Sequence, residues 1–273
     1  MTSFSIITAT YNVAATIADC LESVARQTCP ATEHIIIDGA STDNTLDVIS
    51  SLTIHPSTHL RIYSEPDNGI YDAMNKGIVL ATGDVIGILN ADDFYASADV
   101  LAKVAAVFED PTVMCCYGDL EYVKEAVDRG QRSDNREQNI ESKSVPFKVV
   151  RYWKSGEFSP DKFYWGWMPP HPTFFARRSM YEKYGMFRLD LGTAADYELM
   201  LRFMLKERIS TVYIPEILVR MRSGGVSNRL LLSRLKAHQM DRKSWEMNRL
   251  SPYFWTLFMK PLRKLRQYKV FSR

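Results

Sequence analysis

Short apolar runs alternate with amphipathic stretches along the first 120 residues, and this pattern constrains the fold more than any other feature of the sequence. The apolar runs predict strands at residues 5–10, 34–38, 60–64 and 85–90. Helices are predicted at 14–27, from the turn at 39–42 to residue 50, at 70–80 and at 99–108. Strands that are each followed by a helix pair in parallel, with helices on the faces of the sheet. We therefore predict an α/β protein with a mixed, mostly parallel sheet flanked by helices.

The second half of the chain has a less regular pattern. It predicts a strand near 114–123, a short helix ending at 182–187, a helix at 194–206, two short strands at 212–214 and 217–221, and a long helix at 227–248. Residues 124–143 are highly charged and predict a mobile solvated loop, because such a composition cannot bury a core. We divide the chain into a main unit at 1–227, with halves near 1–120 and 121–227, and a helical basic segment at 228–273.

Charge is distributed unevenly along the chain, although the net charge of all 273 residues is only +2. Residues 229–273 contain 12 Lys and Arg against two acids, a net charge of +10, which leaves −8 for the residues before them. An acidic body argues against nucleic-acid binding, which needs clustered cations on the contact face. A basic terminal segment suits an anionic membrane surface instead.

Other features of the sequence exclude several classes of protein. No run of about 18 to 20 apolar residues is present, which argues against a membrane span, and the first ten residues lack the regions of a signal peptide. We therefore expect a cytoplasmic protein. The four cysteines form no CxxC pair, which predicts free thiols, and neither a GxGxxG fingerprint, a P-loop nor a zinc-ligand spacing occurs. A nucleotide site must rest on other residues.

Carboxylates follow three successive predicted strands at the point where each strand ends. Asp38 follows the second strand, Asp67 and Asp72 follow the third, and Asp92 and Asp93 follow the fourth. Each aspartate alone is typical of a turn or a helix cap. Because open α/β sheets bind their ligands at the carboxyl ends of the strands, the aspartates together predict a polar site at that edge.

Five sequence segments, which run in order over most of residues 1–227, add a family resemblance to this pattern. They are SIITATYN at 5–12, IIIDGASTDNT at 35–45, SEPDNGIYDAMNKGI at 64–78, ATGDVIGILNADD at 81–93 and ADYELMLR at 195–202. With these segments the chain resembles the inverting family 2 glycosyltransferases of the GT-A fold. The sequences IYDAMNKGI and LNADD within them are most similar to bacterial exopolysaccharide enzymes such as colanic acid glycosyltransferases. The resemblance implies transfer of a sugar, with inversion, from a nucleotide sugar to a saccharide or lipid-linked acceptor in the synthesis of bacterial cell-surface polysaccharide.

The resemblance also implies a UDP-, GDP- or dTDP-sugar as donor, bound mainly by the first half of the chain, with the acceptor bound by the second half. The implied donor-binding residues are Thr8, Ala9, Tyr11, Asp38, Asp67, Asp72, Lys76, Asn90, Ala91 and Asp92. Among them, Asp38 would accept the N3 proton of a pyrimidine or the corresponding proton of guanine. The N-terminus of the helix at 70–80 suits the diphosphate, because free N–H groups attract an anion.

A divalent cation held by carboxylates stabilises a departing diphosphate, and the resemblance implies Mg²⁺ or Mn²⁺ at Asp92 and Asp93, with His171 as a further ligand. Family members commonly have Asp-x-Asp-Asp at this point, whereas this chain has Asn90 at the first position. Mg²⁺ accepts one or two carboxylates plus phosphate oxygens and waters. We therefore expect a metal site that survives this change, with a weaker affinity before the donor binds.

Asp196 matches the catalytic aspartate of the family's ADYEL segment, so the resemblance implies that Asp196 is the base that removes the acceptor's hydroxyl proton. The preceding family position is often Glu, whereas this chain has Ala195. Glu198 is the alternative base, although its position two residues further along directs it to another face of the helix.

Two further groups of residues complete the expected site. Trp165 and Trp167 are placed on the acceptor side, because aromatic faces stack on sugar rings. Arg222 and Ser227 flank a glycine loop and are candidate donors to the diphosphate.

Two alternative functions stay open at this point. A sugar-phosphate nucleotidyltransferase shares the architecture but opens with a Gly-rich loop that residues 9–15 lack. A catalytically inactive nucleotide-sugar-binding protein is favoured by Asn90 and Ala195. The basic residues 252–273 also contain many aromatic side chains, which predicts peripheral attachment to the inner face of an anionic membrane.

Overall fold

The computed structural model describes residues 2–52, 57–126, 147–224 and 231–267. The strands in these ranges are β1 Phe4–Thr10, β2 Glu33–Asp38, β3 His59–Ser64, β4 Val85–Ile88, β5 Asp93–Tyr95, β6 Cys115–Glu125, β7 Phe147–Trp153, β8 Phe175–Arg177 and β9 Thr211–Arg222. They form one mixed sheet with the order β3-β2-β1-β4-β8-β6-β9-β5, and β7 pairs with β6 outside that path.

Helices cover this sheet. The α-helices are α1 Ile17–Ala25, α2 Thr45–Ser51, α3 Ile70–Leu80, α4 Val100–Phe108, α5 Asp161–Tyr164, α6 Arg178–Tyr184, α7 Ala195–Met200, α8 Leu231–Met247 and α9 Thr256–Arg266. Short 3₁₀ helices lie at His171–Thr173 and Leu189–Ala194, and a π-helix at Leu201–Lys206 continues α7.

The four strands at one end of the sheet, from β3 to β4, are parallel to one another. The strand β2 is apolar at three successive positions because both of its faces are covered. Ile35 and Ile37 pack in the same core as Met74 of α3, whereas Ile36 packs in the core that contains Leu21 of α1. The helices therefore form one layer on each side of the parallel strands, and the loops at the carboxyl ends of these strands stay accessible.

The first half of the chain matches the sequence prediction closely. The four predicted strands appear as β1 to β4, and the predicted helix at 70–80 is α3 with the same bounds. The predicted free cysteines are also confirmed, with Cys20, Cys115 and Cys116 buried. The alternation of strands and helices was therefore a sufficient guide to this half of the fold.

The later part of the fold departs from the prediction in several places. The two short strands predicted at 212–214 and 217–221 are one strand, β9, which passes through Pro215 where the ladder to β6 is irregular. A proline has no N–H to donate, and a bulge tolerates that loss. The strands β7 and β8 were not predicted, nor was the short strand β5 of the first half, which pairs with the end of β9. The predicted helix at 194–206 changes from α to π at Leu201.

The C-terminal helices pack on the main unit. The indole of Trp245 in α8 is fully buried and donates to the Tyr197 hydroxyl across 2.9 Å. The Thr256 hydroxyl at the start of α9 donates to the Tyr164 carbonyl across 2.7 Å. Of the expected solvated loop at 124–143, only 124–126 are described, and Ser227 and residues 268–273 also lie outside the described residues. Across the described ranges, no helix has both the length and the apolar character that crossing a bilayer would require.

Candidate active site

Three polar side chains lie side by side at the carboxyl ends of the parallel strands. Thr10 of β1, Asp38 of β2 and Ser64 of β3 are direct partners in the ladder. The Thr10 and Ser64 hydroxyls donate to the Asp38 carboxylate across 3.0 and 2.7 Å. Ser41 donates to the same carboxylate through its N–H, across 2.9 Å, and through its hydroxyl. Asp38, one of the aspartates that were expected at this edge, is therefore held in a hydrogen-bond network with Thr10, Ser41 and Ser64.

Asp38 lies at the centre of this network and is fully buried. Burial alone would raise the pKa of its carboxyl group, but the hydrogen bonds from Ser41, Ser64 and Thr10 hold that pKa below its ordinary value. These four bonds occupy the four acceptor positions of an ionised carboxylate. Asp38 therefore orders the loop after β2, and it can accept a proton from a nucleotide base only by losing one of these bonds.

Tyr11 and Asp67 both lie close to Gly39, which has no side chain. A Cβ atom added at Gly39 would lie 2.6 Å from Asp67 Oδ2 and 3.4 Å from Tyr11 Cδ2. A side chain at position 39 would therefore displace the Asp67 carboxylate, whose other oxygen accepts from the Gly69 N–H across 2.8 Å. The structure thus brings Tyr11 and Asp67, two of the expected donor-binding residues, together over Gly39.

The loops after β1 and β2 are fastened to each other, which fixes the position of Tyr11. Asn12 has a positive φ of 53°, and its side-chain oxygen accepts from the Thr42 N–H across 2.8 Å. The Asp43 carboxylate accepts in return from the Ala14 N–H across 3.2 Å. Asparagine tolerates this left-handed backbone conformation better than most residues. The Tyr11 ring is 61% exposed and is available to a ligand.

Three of the expected donor-binding residues lie beneath the surface. Thr8 is fully buried, and its hydroxyl forms a 2.9 Å hydrogen bond with His34 Nε2. Ala9 and Ala91 are buried in the two core clusters. Thr8 lies two positions before the strand end, so its side chain does not reach the edge of the sheet, and the residue at the strand end is Thr10.

Asp72 and Lys76 are engaged near the start of α3. The Asp72 carboxylate accepts from the Asn68 N–H across 2.9 Å. The Lys76 ammonium pairs with Glu65 at 2.7 Å and donates to the Pro66 carbonyl across 3.0 Å. Asp72 and Lys76 line a cavity of 430 Å³ that includes Tyr63 and Val79 but none of the residues 90–93. The structure therefore separates Asp72 and Lys76 from the carboxylates that follow β4.

The segment after β4 contains two buried oxygen atoms that lack a partner within the described part of the chain. Asn90 Nδ2 donates to Asp93 Oδ2 across 3.0 Å, which leaves Asn90 Oδ1 and Asp93 Oδ1 without a hydrogen bond. Buried polar atoms are nearly always satisfied, and leaving one unsatisfied costs about 1–3 kcal/mol. These two oxygens therefore fit a site that a cation or a hydroxyl group completes.

Asp92 and Asp93 differ in their access to a ligand. Asp93 is fully buried, and burial together with the neighbouring Asp92 charge raises the pKa of its carboxyl group well above the ordinary value. Asp92 is half-buried, and burial raises its pKa too. Arg222, at the end of β9, donates to the Asp92 carbonyl across 3.1 Å and also pairs with Asp19. Arg222 therefore lies next to Asp92, one of the two residues of the expected metal site.

The residues present fit a divalent cation that is bound together with a phosphate ligand. Carboxylate oxygens are what Mg²⁺ and Mn²⁺ prefer, and Mg²⁺ usually keeps several ligands that the protein does not supply. Among the described residues, no group of three or more His, Cys, Asp or Glu side chains is placed to hold a metal ion. His171, the further ligand that was expected, lies beside Asp196, and the described structure does not bring it together with Asp92 and Asp93.

Asp196 begins α7 and is half-buried among side chains from two other segments. Its carboxylate accepts from the Tyr197 N–H across 2.7 Å. The Tyr71 hydroxyl lies within hydrogen-bonding reach of Asp196, and burial and the Asp196 charge both raise the pKa of that hydroxyl. Burial lowers the pKa of His171, while the nearby Asp196 carboxylate acts in the opposite direction. A neutral tyrosine and a neutral histidine thus flank the expected base.

Glu198 has a different environment and cannot replace Asp196. It is fully buried and accepts from Arg202 Nε across 3.0 Å and from Arg202 Nη2 across 2.8 Å. Asn248 Nδ2 also donates to it across 3.0 Å, and Arg188 approaches within 3.3 Å. The alternative base is therefore excluded, because a buried carboxylate with these partners has no access to a substrate.

The two tryptophans that were expected on the acceptor side are placed differently. Trp165 is 50% exposed. Trp167 is 3% exposed, donates its indole N–H to the Ser155 carbonyl across 2.8 Å and packs edge-on against Phe163 and Tyr117. Trp167 is therefore a core residue that offers no face for stacking on a sugar, whereas Trp165 does.

Sequence reasoning missed Tyr71, which lies against Asp196 although 125 positions separate them. The signal was its place inside the SEPDNGIYDAMNKGI segment, directly before Asp72. The reasoning also missed that Asp19 in α1 fixes Arg222. No local pattern joins these two residues, because the pair spans 203 positions.

Several known proteins are similar to this chain in sequence. The chain is 33% identical over 230 residues to a PGL/p-HBAD biosynthesis glycosyltransferase of Mycobacterium bovis, and the matched region covers 84% of this chain and 80% of that protein. It is 29% identical over 198 residues to the chondroitin synthase of Pasteurella multocida, with 72% of this chain and 18% of that protein covered.

Solved structures confirm the predicted fold. The S. aureus TarS fragment 1–349 superimposes with a TM-score of 0.65 at 17% identity, covering 99% of this chain and 73% of that one. The mannosyltransferase PcManGT of Pyrobaculum calidifontis, solved with GDP-Man and Mn²⁺, superimposes with a TM-score of 0.61 at 18% identity, covering 99% of this chain and 70% of that one. The sequence model of the family described as "Glycosyl transferase family 2" matches residues 5–185. The chain therefore belongs to glycosyltransferase family 2.

Proposed function

We propose that this glycosyltransferase moves a sugar, with inversion, from a nucleotide sugar to a hydroxyl group of a saccharide or lipid-linked acceptor, in the cytoplasm and in the synthesis of bacterial cell-surface polysaccharide. The observation that carries the proposal is the Asp196 carboxylate, half-buried and flanked by Tyr71 and His171. An inverting transfer is a single displacement that needs one base on the acceptor side, and this chain offers Asp196 for that role.

The donor binds where the loops after β1 and β2 meet. TarS has been solved with UDP-GlcNAc and PcManGT with GDP-Man, which supports a UDP-, GDP- or dTDP-sugar as the donor here. We assign recognition of the base to the exposed Tyr11 ring and to Asp67 Oδ2, which lies over Gly39. The assignment replaces Asp38 with Asp67, because the Asp38 oxygens already accept four hydrogen bonds.

The segment after β4 holds the diphosphate end of the donor. Asp92 would ligate Mg²⁺ or Mn²⁺, and the unpartnered Asn90 Oδ1 would accept from a ribose hydroxyl or complete the ligand set. When bound, the cation neutralises charge on the departing diphosphate. Arg222 adds a permanent cation next to Asp92, and its ion pair with Asp19 keeps its side chain oriented.

The transfer step follows from these positions. Asp196 takes the proton of the acceptor hydroxyl while that oxygen bonds to the anomeric carbon and the bond from that carbon to the diphosphate breaks. A positioned base of this kind contributes roughly 10² to 10⁴ in rate. The Tyr71 hydroxyl holds Asp196 in place, and the lowered pKa of His171 keeps that imidazole neutral at neutral pH, so it does not neutralise the base with a positive charge.

The experiment that tests the proposal replaces Asp196 by Asn. Transfer from a radiolabelled nucleotide sugar should fall by a factor of about 10² or more, because the amide cannot take a proton, while donor binding measured by thermal shift should stay within a few-fold. Glu182→Asn on exposed α6 is the matched control and should retain wild-type transfer. Transfer by Asp196→Asn at the wild-type rate, or a product of retained anomeric configuration by NMR, would contradict the proposal.

A further inference from the structure

Exposed apolar side chains are concentrated on one surface of this protein. Ten large apolar side chains are exposed within the described residues, and five of them lie together here. We define the aromatic surface by these five residues, Trp165, Tyr253, Phe254, Phe258 and Leu262, which are between 50 and 84% exposed. An exposed apolar patch of this kind marks a site of interaction rather than an ordinary solvated surface.

The aromatic surface is continuous. The ring of Trp255 lies 5.7 Å from Trp165, 4.8 Å from Tyr253 and 4.7 Å from Phe254, measured between ring centroids. Phe258 and Leu262 are spaced by four residues and therefore share one side of α9, and Phe254 lies in the turn directly before this helix. The surface thus combines one side chain of the main unit with a stripe along the C-terminal helix.

The helix α9 does not need the aromatic surface to stay in place. Gly166 has a positive φ of 71°, and a Cβ atom added there would lie 2.4 Å from the Lys260 backbone nitrogen, so the α9 backbone rests directly on this loop. Leu257 and Thr256 are buried on the same inner side. Phe258 contacts the His238 ring of α8 at 5.3 Å between centroids and is still 62% exposed, so the outward stripe stays available to a further partner after the helix has packed.

Charge identifies that partner. Residues 252–273 contain six cations and no acid, and of the four cations within α9 Lys260 lies on the inner side, where it pairs with Asp241. Two copies of such a surface repel each other, which argues against a symmetric dimer. Aromatic side chains settle at the headgroup level of a bilayer, and lysine and arginine beside them bind lipid phosphates. The geometry points to an anionic lipid bilayer as the partner of the aromatic surface.

This surface also fixes how the enzyme would face the membrane. The inner side of α9 lies against α7, because Lys260 Nζ is 3.7 Å from the centre of the Tyr197 ring, and Tyr197 follows Asp196. A helix with its side chains is about 10–12 Å across. A bilayer on the outer side of α9 would therefore lie about one helix diameter from Tyr197, the neighbour of the proposed base. This consequence rests on the proposed function, whereas binding to a bilayer does not.

The test uses the full chain and vesicles of phosphatidylcholine with and without phosphatidylglycerol, followed by flotation. We expect wild-type protein to bind the anionic vesicles, and to bind less as salt rises. Phe254→Ser with Phe258→Ser should weaken this binding about ten-fold or more, and Trp165→Ser should weaken it by a smaller factor. Val79→Ser, at a position of α3 that is 69% exposed, is the matched control and should bind like wild type.

The outcomes separate the possible partners. Absence of binding by wild type, or equal binding by wild type and the Phe254/Phe258 variant, would overturn the proposal. A dimer that the same variant dissociates, without vesicle binding, would assign the surface to a second copy and also overturn it. Thermal unfolding of each variant checks its fold. Release of nucleoside diphosphate is measured on the same samples, so loss of the proposed function and loss of membrane binding are read independently.

Discussion

The Asn90 side-chain amide donates to the Asp93 carboxylate across 3.0 Å, so the residue that departs from the Asp-x-Asp-Asp pattern is bonded to the last acid of that pattern. Asp93 is fully buried and its pKa is raised by burial and by Asp92. An aspartate at position 90 would add a third carboxylate to this segment and remove the Asn90 amide as a donor to the Asp93 carboxylate.

We therefore predict that Asn90→Asp destabilises the metal-free protein, by about 1–3 kcal/mol in the free energy of unfolding, since it places like charges in a buried segment and leaves an acceptor unpaired. Mn²⁺ should recover part of that loss, because the new carboxylate is also a ligand. Urea unfolding with Mn²⁺ and with a chelator measures both effects. Asn44→Asp, at an exposed position, is the control and should show neither. Equal stability of Asn90→Asp and wild type in chelator would contradict the role given to this hydrogen bond.

The second prediction separates Asp67 from Asp38. The Asp67 Oδ2 atom lies over Gly39, where it can accept a hydrogen bond from a base. The Asp38 carboxylate already accepts four hydrogen bonds, from Thr10, Ser41 and Ser64. Asp67→Asn should weaken binding of the preferred nucleotide about ten-fold or more with little change in thermal stability, because a base donor then faces an amide. Asp38→Asn should lower the melting temperature, because an amide cannot accept four hydrogen bonds. Isothermal titration with UDP, GDP and dTDP and a thermal melt of each variant make the distinction. A stable Asp38→Asn that has lost nucleotide binding would return the base contact to Asp38.

The parallel part of the fold could be predicted because the residues that mark each strand and its end are close together in the sequence. Strand ends in the first half were marked by the change from apolar to polar residues, and the ladder places Thr10, Asp38 and Ser64 side by side as that pattern required. The burial of the Thr8 side chain could not be predicted, because the pattern does not show how deep a residue lies along a strand: β1 brings Thr10 to the edge of the sheet and buries Thr8 against His34.

The remaining errors concern contacts between distant segments. Nothing in the sequence near Trp167 shows that Phe163, Tyr117 and Ser155 enclose it. The burial of Glu198 had a local signal, because Arg202 lies four residues further along the same helix, a spacing at which opposite charges pair. Tyr71 reaches Asp196 from a segment 125 residues away, and only the fold joins them.

The third prediction concerns Glu198 as a structural residue. Glu198→Gln removes the charge that neutralises Arg202, whose guanidinium also donates to the Gly185 and Met186 carbonyls across 2.7 and 2.8 Å. Breaking one partner of a buried ion pair costs about 3–5 kcal/mol, so we expect a loss of that size in the free energy of unfolding. The matched control is Glu182→Gln, which breaks the exposed pair with Arg178 and should cost about 0–1 kcal/mol. Urea unfolding compares the two, and a loss below 1 kcal/mol for Glu198→Gln would contradict the network described for α7.

The last prediction uses the buried His34 and the pH dependence of stability. Burial lowers the pKa of His34 to about 3, from 6.5 in the unfolded chain, so the unfolded state binds one more proton between these two values. Stability must then rise with pH across that window, and it must fall on acidification from pH 6.5, with a slope of up to about 1.4 kcal/mol per pH unit from this one group. The amide of His34→Gln can keep the 2.9 Å bond to Thr8 and does not titrate.

We therefore expect the slope of unfolding free energy against pH, measured by urea unfolding between pH 5 and 6.5, to be smaller by about that amount in His34→Gln than in wild type. Glu33 contributes equally to both proteins, because hydrogen bonds from Ser5, Thr82 and Arg61 outweigh its burial and hold its pKa at about 2 in each folded state, so its contribution cancels in the comparison. His59→Gln, at an exposed position of β3, should keep the wild-type slope. Identical slopes in His34→Gln and wild type would show that His34 gains its proton without unfolding, which is incompatible with a neutral imidazole sealed between β1 and α1.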